Sequence, residues 1–326
     1  MTQDLSYLVD LAMEDPQLNG MQLVVEKELF HYDILFAMDR GRFLDGLVFQ
    51  GGTALRLCYG APRFSEDLDF SGDTDFTSSR LAGLGDYLAK YLSGRYGLET
   101  VIKPPSEMRE SPDASKLVTD KWRISVVTRP ERTDIPRQRI HLEVCNVPSY
   151  ESTPMSMLRN YDFLPGGYED FVIRVETRDE ILADKLVAFP ATLPTYTRWR
   201  DLWDMRWLER RGAIVKADLV WAKIRDYRIH GYVALLEKAI DRIPDLIHSD
   251  EFVAQMGRFL TEPVAESTIR RQMWREEVIR ELGGMLTGLW RQLAPRKDLR
   301  PPGGDNANEE ASANTYVSSA HRLDGP

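Results

Sequence analysis

The pattern of apolar residues changes once along the chain, near residue 178, and this change restricts the possible folds more than any other feature. Before it, short apolar runs with alternating polar positions predict β-strands separated by helices. After it, apolar residues recur only at helical spacing, as far as about residue 293. We therefore predict an α+β fold, with a mixed sheet in an α/β domain over residues 1–177 and an α-helical domain over residues 178–295. Residues 296–326 are polar and rich in Pro, Gly and Asn, which predicts a disordered tail.

Glycine and proline separate the individual elements. In the first half, the patterns predict helices over 21–45, 53–59 and 78–94, and strands over 47–49, 68–70, 98–103, 122–128, 139–147 and 171–175. In the second half, they predict helices over 178–190, 197–211, 216–228, 231–243, 250–261 and 266–293.

Composition argues against several classes of protein. No stretch approaches the roughly 18 uninterrupted apolar residues that a membrane span requires, and the N-terminus lacks the pattern of a signal peptide. Two cysteines, Cys58 and Cys145, form no disulfide framework, and five scattered histidines lack the spacing of a zinc site. We therefore expect a cytoplasmic protein. Its net charge of −9 argues against a protein that coats nucleic acid with its whole surface, but is compatible with a local basic groove.

Two arginine-rich segments are the candidates for such a groove. They comprise Arg198, Arg200, Arg206, Arg210 and Arg211 in one segment, and Arg270, Arg271, Arg275 and Arg280 in the other. Solvated helix faces paired with nearby acids are the more common explanation of such runs. A tryptophan stripe at helical spacing, Trp199, Trp203 and Trp207, likewise indicates a core more often than a platform for stacking bases.

A glycine pair followed by a hydroxyl residue, Gly51-Gly52-Thr53, lies at the end of the first predicted strand. Glycine lets the backbone approach a ligand closely, and the following helix points its free N–H groups and the positive end of its dipole towards an anion. Thr53 adds a hydroxyl and, as a good N-cap, is expected to begin this helix. The turn therefore predicts a phosphate site, with a plain strand-to-helix turn as the alternative. It is neither a Walker A loop nor a dinucleotide fingerprint.

Two aspartates spaced one apart, Asp67 and Asp69, follow in the next predicted strand. Residues i and i+2 of a strand point to one face, where two carboxylates repel each other unless a cation neutralises them. Mg²⁺ or Mn²⁺ suits such hard oxygen ligands, and Glu143 on another strand is a candidate third ligand, so that two ions could be held. The alternative is a solvated strand edge.

Arg63 and Ser65 are candidates to hold a triphosphate, with an ion pair of Arg63 to the nearby glutamate as the alternative.

Lys185 and Asp204 form a second candidate set in the helical half. Lys185 lies on a helix with a strongly apolar face, so its ammonium is expected to leave that face and to be free for a phosphate. On the next predicted helix, Asp204 is expected to pair with Lys185, to fix a substrate hydroxyl, or to form a salt bridge with Arg200 four residues earlier.

Together these motifs resemble the AbiEii/AbiGii nucleotidyltransferase-like toxins, which include the MenT-type toxins and belong to the DNA polymerase β-like nucleotidyltransferase superfamily. The resemblance is carried, in chain order, by Glu26-Lys27, Phe49-Gln-Gly-Gly-Thr-Ala-Leu55, Arg63-Phe-Ser-Glu-Asp-Leu-Asp-Phe70, Glu143, Glu180-Ile-Leu-Ala-Asp-Lys185 and Arg200-Asp-Leu-Trp-Asp204. It implies a polymerase β-like fold. Asp184 is a departure, since glutamate is expected there in many relatives.

The resemblance also implies an activity and its partners. It implies a Mg²⁺-dependent transfer of NMP from an NTP to an acceptor, which for related toxins is the 3′ end of tRNA, so that translation stops. A cognate antitoxin is implied as well. Carried over residue by residue, Gly52 and Thr53 bind phosphate, Asp67 and Asp69 hold metal, Lys185 contacts the triphosphate, and Asp204 is the essential acid of the last motif.

Two other functions are open at this point. The same superfold supports transfer to a small molecule such as an aminoglycoside, or to a protein. The second of these functions is that of a degenerate nucleotidyltransferase that only binds RNA or a partner protein. The intact Asp67, Asp69 and Lys185 argue against it, because a binding module has no reason to keep carboxylates clustered near phosphate.

Overall fold

A computed structural model of the chain describes residues 3–113, 115–132 and 134–296. The described residues divide into two compact units: those up to Glu176 together with Phe259–Pro263, and Thr177–Arg258 together with those from Val264 onwards. This division falls beside the position where the apolar pattern changes from strand to helix spacing. The predicted tail lies outside the described residues from residue 297 onwards.

The first unit is built around one mixed sheet of seven strands. The strands are β1 (Val48–Gln50), β2 (Leu68–Ser71), β3 (Thr100–Lys103), β4 (Thr119–Val126), β5 (Gln138–Cys145), β6 (Ser152–Ser156) and β7 (Val172–Glu176). Their order across the sheet is β3-β4-β5-β2-β1-β7-β6. β1 and β2 pair antiparallel, whereas β2 with β5 and β1 with β7 pair parallel. The α+β prediction is confirmed, and the central strands are those that carry the predicted motifs.

The described helices of this unit are α1 (Leu5–Met13), α2 (Gln22–Arg40), α3 (Gly51–Tyr59) and α4 (Leu84–Tyr96). α2 differs from an ordinary amphipathic helix because acidic side chains are among its buried residues. Each of these acids has an arginine partner, in the pairs Glu26–Arg129, Glu28–Arg56 and Asp33–Arg95. Such pairing offsets the cost of burying a carboxylate among apolar side chains.

Several elements differ from the sequence prediction. α3 begins at Gly51, two residues before Thr53. The predicted helix over 78–94 consists of a short 3-10 helix, Ser78–Leu81, and then α4, because Gly83 adopts a φ of 82° between them. β6 was not predicted, since Pro154 interrupts its pattern. The proline is tolerated because β6 is an edge strand.

From Thr177 onwards, the regular structure of the described residues is helical. It comprises α5 (Arg178–Thr192), α6 (Trp199–Arg210), α7 (Ala217–Asp226), α8 (Tyr232–His248), α9 (Asp250–Gly257), α10 (Glu262–Ser267) and α11 (Gln272–Leu293), followed by a short 3-10 helix. The prediction of one helix over 266–293 is wrong at its start, because α10 ends at Ser267 and α11 begins at Gln272. No helix in the described ranges combines the length and apolar character needed to cross a bilayer.

Candidate active site

The strand register places Asp69 at the centre of the candidate site. In the antiparallel pair of β1 and β2, Asp69 lies opposite Gln50, and in the parallel pair of β2 and β5 it lies beside Glu143. Gly51 follows Gln50 with a φ of 76°, and a Cβ on it would lie 2.8 Å from Oδ2 of Asp69. Both the left-handed backbone and this close approach favour glycine. The glycine turn and the aspartate are therefore parts of one site.

Asp67 lies just before β2 and is held from two sides. Its carbonyl oxygen accepts a hydrogen bond from the hydroxyl of Thr53, and its Oδ1 accepts one from the backbone N–H of His141 over 3.2 Å. Thr53 is the third residue of α3 and is buried. The prediction that Thr53 caps the helix is therefore wrong, and its hydroxyl fixes the chain ahead of β2. Its backbone N–H still belongs to the first turn, where helical N–H groups lack partners within the helix.

Arg63 and Ser65 lie against the first turn of α3. A Cβ on Gly52 would come within 2.5 Å of Nη2 of Arg63 and 2.8 Å of Oγ of Ser65, so glycine is what leaves room for both side chains. Both are buried, and Nη1 of Arg63 donates to the carbonyl oxygen of Phe64 over 2.9 Å. A guanidinium, a hydroxyl and the start of a helix are groups that bind phosphate. The structure thus brings together the residues that the sequence named for the phosphate chain.

Glu143 is a buried carboxylate with one close cationic neighbour. Lys121 on β4 lies opposite it in the register, and the Lys121 Nζ is 2.6 Å from the Glu143 Oε1. Burial and the negative charge of Asp69 raise the pKa of Glu143 to about 7, although the charge of Lys121 acts in the opposite direction. The negative charge concentrated on β2 and β5 is therefore costly and would be relieved by a further cation.

The carboxylates of Asp67 and Asp69 fit a hard divalent cation that takes only one or two of its ligands from the protein. Within the described ranges, no group of three or more His, Cys, Asp or Glu side chains is arranged to hold a metal ion. Asp67 contacts the backbone of His141, and Glu143 contacts Lys121. Mg²⁺ usually binds to one or two carboxylates and completes its shell with water and substrate phosphates. Asp67 and Asp69, beside the predicted phosphate-binding turn, match that requirement.

Lys185, in the second unit, is engaged by two carboxylates. Its Nζ lies 2.7 Å from Oδ2 of Asp204 and 3.0 Å from Oδ1 of Asp201, and all three side chains are buried. The expectation of a free ammonium is therefore wrong, and the structure shows the first of the three contacts considered for Asp204. Burial alone would raise the pKa of Asp201, but the charges of Arg198 and Lys185 outweigh it and hold that pKa well below its usual range.

Two members of these clusters, Asp201 and Lys223, were not among the residues predicted from the sequence. The spacing of Asp201 and Asp204 could have shown that both face one side of α6. Lys223 on α7 is fully buried, with its Nζ 2.7 Å from Glu180 Oε1 and 3.1 Å from Asp184 Oδ2. The departure at Asp184 therefore lies in a second lysine–carboxylate cluster on α5, next to Lys185.

The first arginine-rich segment is largely paired with acids. Arg206 and Arg210 both contact Glu277 and Glu281 on α11. Trp203 is buried and stacks on Trp274, with ring centroids 5.4 Å apart. These contacts favour the structural explanation of both the arginines and the tryptophan stripe.

The chain resembles known proteins in both sequence and fold. Residues 33–281 match the family described as nucleotidyl transferase AbiEii toxin, type IV toxin–antitoxin system. Among solved structures, the chain is similar to MenT4, a nucleotidyltransferase toxin from Mycobacterium tuberculosis, with 16% identity, a TM-score of 0.52, and coverage of 98% of this chain and 100% of that one. It is also similar to JHP933 from Helicobacter pylori, with 19% identity, a TM-score of 0.43, and coverage of 84% and 94%. No curated protein sequence matches the chain.

The likeness to MenT4 shows a shared fold, and the family match extends over more than half of the chain. The matched segment includes the glycine turn, the three carboxylates of the sheet, and the lysine–carboxylate cluster of α5 and α6. The chain therefore belongs to the AbiEii family of nucleotidyltransferase toxins, which act in type IV toxin–antitoxin systems.

Proposed function

We propose that the protein is a Mg²⁺-dependent toxin of the cytoplasm that transfers NMP from an NTP to the 3′ end of tRNA and so blocks translation. A cognate antitoxin restrains it. The observation that carries this proposal is the contact between Asp69 and the turn at Gly51, because it joins a carboxylate pair to a phosphate-binding helix start. A nucleotidyl transfer needs both at the same phosphate chain.

The phosphate chain binds at the first turn of α3. The N–H groups of Gly51, Gly52 and Thr53 supply the positive end of the helix, and Arg63 and Ser65 supply donors against the same turn. The Arg63 guanidinium is buried, so its orientation is fixed before the nucleotide arrives. Fixed donors lose little freedom on binding, which favours an in-line arrangement of the reacting groups.

Asp67 and Asp69 hold the metal ion beside this phosphate chain. Mg²⁺ would neutralise developing charge on the transferred phosphoryl group and on the pyrophosphate. The protein positions both ligands rigidly: Asp67 through Thr53 and His141, and Asp69 through the strand register. Mn²⁺ would satisfy the same oxygen ligands.

Lys185 and Asp204 complete the proposed catalytic set, in the roles that the family resemblance implies. Lys185 is the group that contacts the triphosphate, as a point charge. Asp204, with Asp201, fixes the position of that charge through contacts of 2.7 Å and 3.0 Å.

Labelled nucleotides test the proposal directly. Purified protein is incubated with Mg²⁺ and each of the four α-labelled NTPs, in the presence of total tRNA, an aminoglycoside mixture or a cell protein extract. We expect label on tRNA with a preferred NTP, and no label on tRNA whose 3′ ends have been oxidised by periodate. Protein carrying Asp69→Asn, purified in parallel, controls for contaminating enzymes.

Each acceptor distinguishes a different function. Label on an aminoglycoside or on protein, but not on tRNA, would replace the proposed acceptor while keeping the reaction. The pairing of Arg206 and Arg210 with acids lowers the charge available to an RNA backbone and is the observation that favours a smaller acceptor. Tight binding of tRNA without label on any acceptor would favour a degenerate binding module.

A further inference from the structure

A row of charged residues crosses three adjacent strands of the sheet. Lys121 on β4 lies opposite Glu143 on β5, and Glu143 lies beside Asp69 on β2. Side chains at paired positions of neighbouring strands project to the same face. The row therefore places one ammonium, that of Lys121, next to Glu143, and Glu143 next to the proposed metal ligand Asp69.

Lys121 takes the position at Glu143 that a metal ion would need. Its Nζ lies 2.6 Å from Glu143 Oε1, and the Glu143 side chain is only 5% exposed, against 22% for Lys121. Sheet pairing fixes both backbones, so the contact does not depend on a mobile loop. An ion bound to Glu143 would have to displace this ammonium, or lie beside it and be repelled.

Three carboxylates at one site could bind two metal ions. One ion would stabilise the attacking oxygen and the other the leaving oxygen. The ammonium of Lys121 supplies positive charge at the third carboxylate without any ion. We infer that Lys121 takes the place of a second cation, so that the protein binds one divalent ion, at Asp67 and Asp69, and not two. This inference rests on the metal dependence contained in the proposed function.

Counting bound ions tests it without any nucleotide or acceptor. Mn²⁺ alone is titrated into the full-length protein, and bound ions are counted by electron paramagnetic resonance. We expect one Mn²⁺ per chain in the wild type and two in Lys121→Met, where Glu143 becomes available as a ligand. Lys121→Arg keeps the positive charge and should still bind one.

A matched control lies on the neighbouring strand. Lys103 on β3 is an exposed lysine of the same sheet, so Lys103→Met repeats the chemical change away from the carboxylates. It should bind one Mn²⁺. Lys121→Gln gives a second, polar replacement should Lys121→Met fold poorly.

The outcomes separate this inference from the proposed function. Two Mn²⁺ in the wild type, or one in both Lys121→Met and Lys121→Gln, would overturn the inference and leave the metal-dependent activity intact. Failure of the wild type to bind Mn²⁺ would overturn the metal dependence itself and the inference with it. A rise from one to two that is confined to the uncharged variants at Lys121 supports both.

Discussion

Two buried clusters of charge, one in each unit, contain carboxylates whose pKa values are shifted in opposite directions. In the sheet, burial and the charge of Asp69 raise the pKa of Glu143 to about 7 despite the contact with Lys121. In the helical unit, Asp201 is also buried, yet Arg198 and Lys185 hold its pKa well below the usual range. The difference lies in the balance of charge around each carboxylate rather than in the degree of burial.

The comparison indicates which cluster would be stabilised by binding a cation. A carboxylate whose neighbours stabilise its charge gains nothing from a further cation. One whose pKa is raised by another carboxylate is relieved when a cation binds. We therefore assign the proposed metal site to the sheet cluster, whereas the contacts of the helical cluster fix the position of Lys185. Perturbed groups of the first kind concentrate at functional sites.

Removing the carboxylate of Asp69 is the strongest way to break the sheet cluster. Asp69→Asn keeps the shape that packs against Gly51 but loses the charge. We expect nucleotidyl transfer to fall by about a thousandfold or more, since losing about 4 kcal/mol of charge stabilisation in the transition state has that effect. Stability should be unchanged or higher, because repulsion of Glu143 is removed. Initial rates and urea denaturation measure the two effects.

Asp73→Asn is the matched control for this prediction. Asp73 is exposed just beyond β2 and has a φ of 65°, which asparagine tolerates. It should keep full activity. An Asp69→Asn enzyme within about tenfold of the wild-type rate would remove this residue from the chemistry.

Substitution of Lys185 in the helical cluster should mainly lower the stability of the protein. Lys185→Met leaves two buried carboxylates without their shared ammonium, and breaking a buried ion pair on one side costs about 3–5 kcal/mol. We expect the urea midpoint to fall accordingly. In Lys185→Met/Asp204→Leu, most of that loss should be recovered, because apolar groups replace both partners while Arg198 still pairs with Asp201.

Activity then distinguishes a structural role from a catalytic one. A double variant with recovered stability and no activity would assign Lys185 and Asp204 to the reaction. A double variant that is both stable and active would reduce them to a structural pair. An unchanged midpoint in Lys185→Met would contradict the buried geometry itself.

The parts of the site that the sequence predicted depend on local signals. The spacing of Asp67 and Asp69 and the glycine turn act over a few residues, so their strand and turn follow from periodicity and from glycine chemistry. The change to purely helical patterns near residue 178 is also a local property summed over a long stretch. These signals were enough to predict an α+β fold and a phosphate-binding turn.

The parts of the site that the sequence did not predict depend on charged partners that are distant in the sequence. Leu23 and Glu26 both lie on α2, but the apolar Leu23 is exposed and the acidic Glu26 is buried against Arg129. Likewise, Lys121 meets Glu143 only through the pairing of β4 and β5. The pattern of a single helix or strand shows only where apolar residues recur. It cannot show which buried acid is paired with a basic residue on another element.

The pH dependence of stability sharpens the contrast between the two clusters. The folded-state pKa of Glu143, about 7, exceeds the unfolded value, so the folded state holds a proton that the unfolded state has lost. Stability contributed by this site therefore falls as the pH rises from about 4.5 to about 7. In Glu143→Gln this titration is absent, so the variant should gain up to about 3 kcal/mol relative to the wild type across that window.

Asp201→Asn provides the opposite case. The pKa of Asp201 is lowered in the folded state, so its stabilising contribution is fully present above the unfolded value and is lost only under more acidic conditions. The difference between Asp201→Asn and the wild type should therefore stay constant from about pH 5 to about pH 8. Urea denaturation in EDTA at several pH values measures both variants. Parallel pH profiles for Glu143→Gln and wild type would contradict the electrostatic account of the sheet cluster.

The smallest expected effect concerns how α2 supports the sheet cluster. Lys27 contacts Glu66 over 2.7 Å, and the Glu66 carbonyl lies 3.0 Å from Nε2 of His31. Burial lowers the pKa of His31 to about 4, so the ring is neutral and can donate through Nε2. Glu66 precedes Asp67 directly. These contacts therefore hold the chain next to Asp67, the first of the two proposed metal ligands.

Lys27→Met removes the ion pair and leaves the histidine contact. We expect a loss of about 1 kcal/mol or less in stability, as for a partly exposed pair, and a fall in transfer rate of about fivefold because Asp67 is less firmly placed. Lys27→Arg should restore the rate, while Asp45→Asn, in the exposed Arg42–Asp45 pair, should change neither quantity. A rate loss in Lys27→Met that higher Mn²⁺ concentrations recover would locate the defect in metal binding. An unchanged rate would mean that the sheet register positions Asp67 without help from α2.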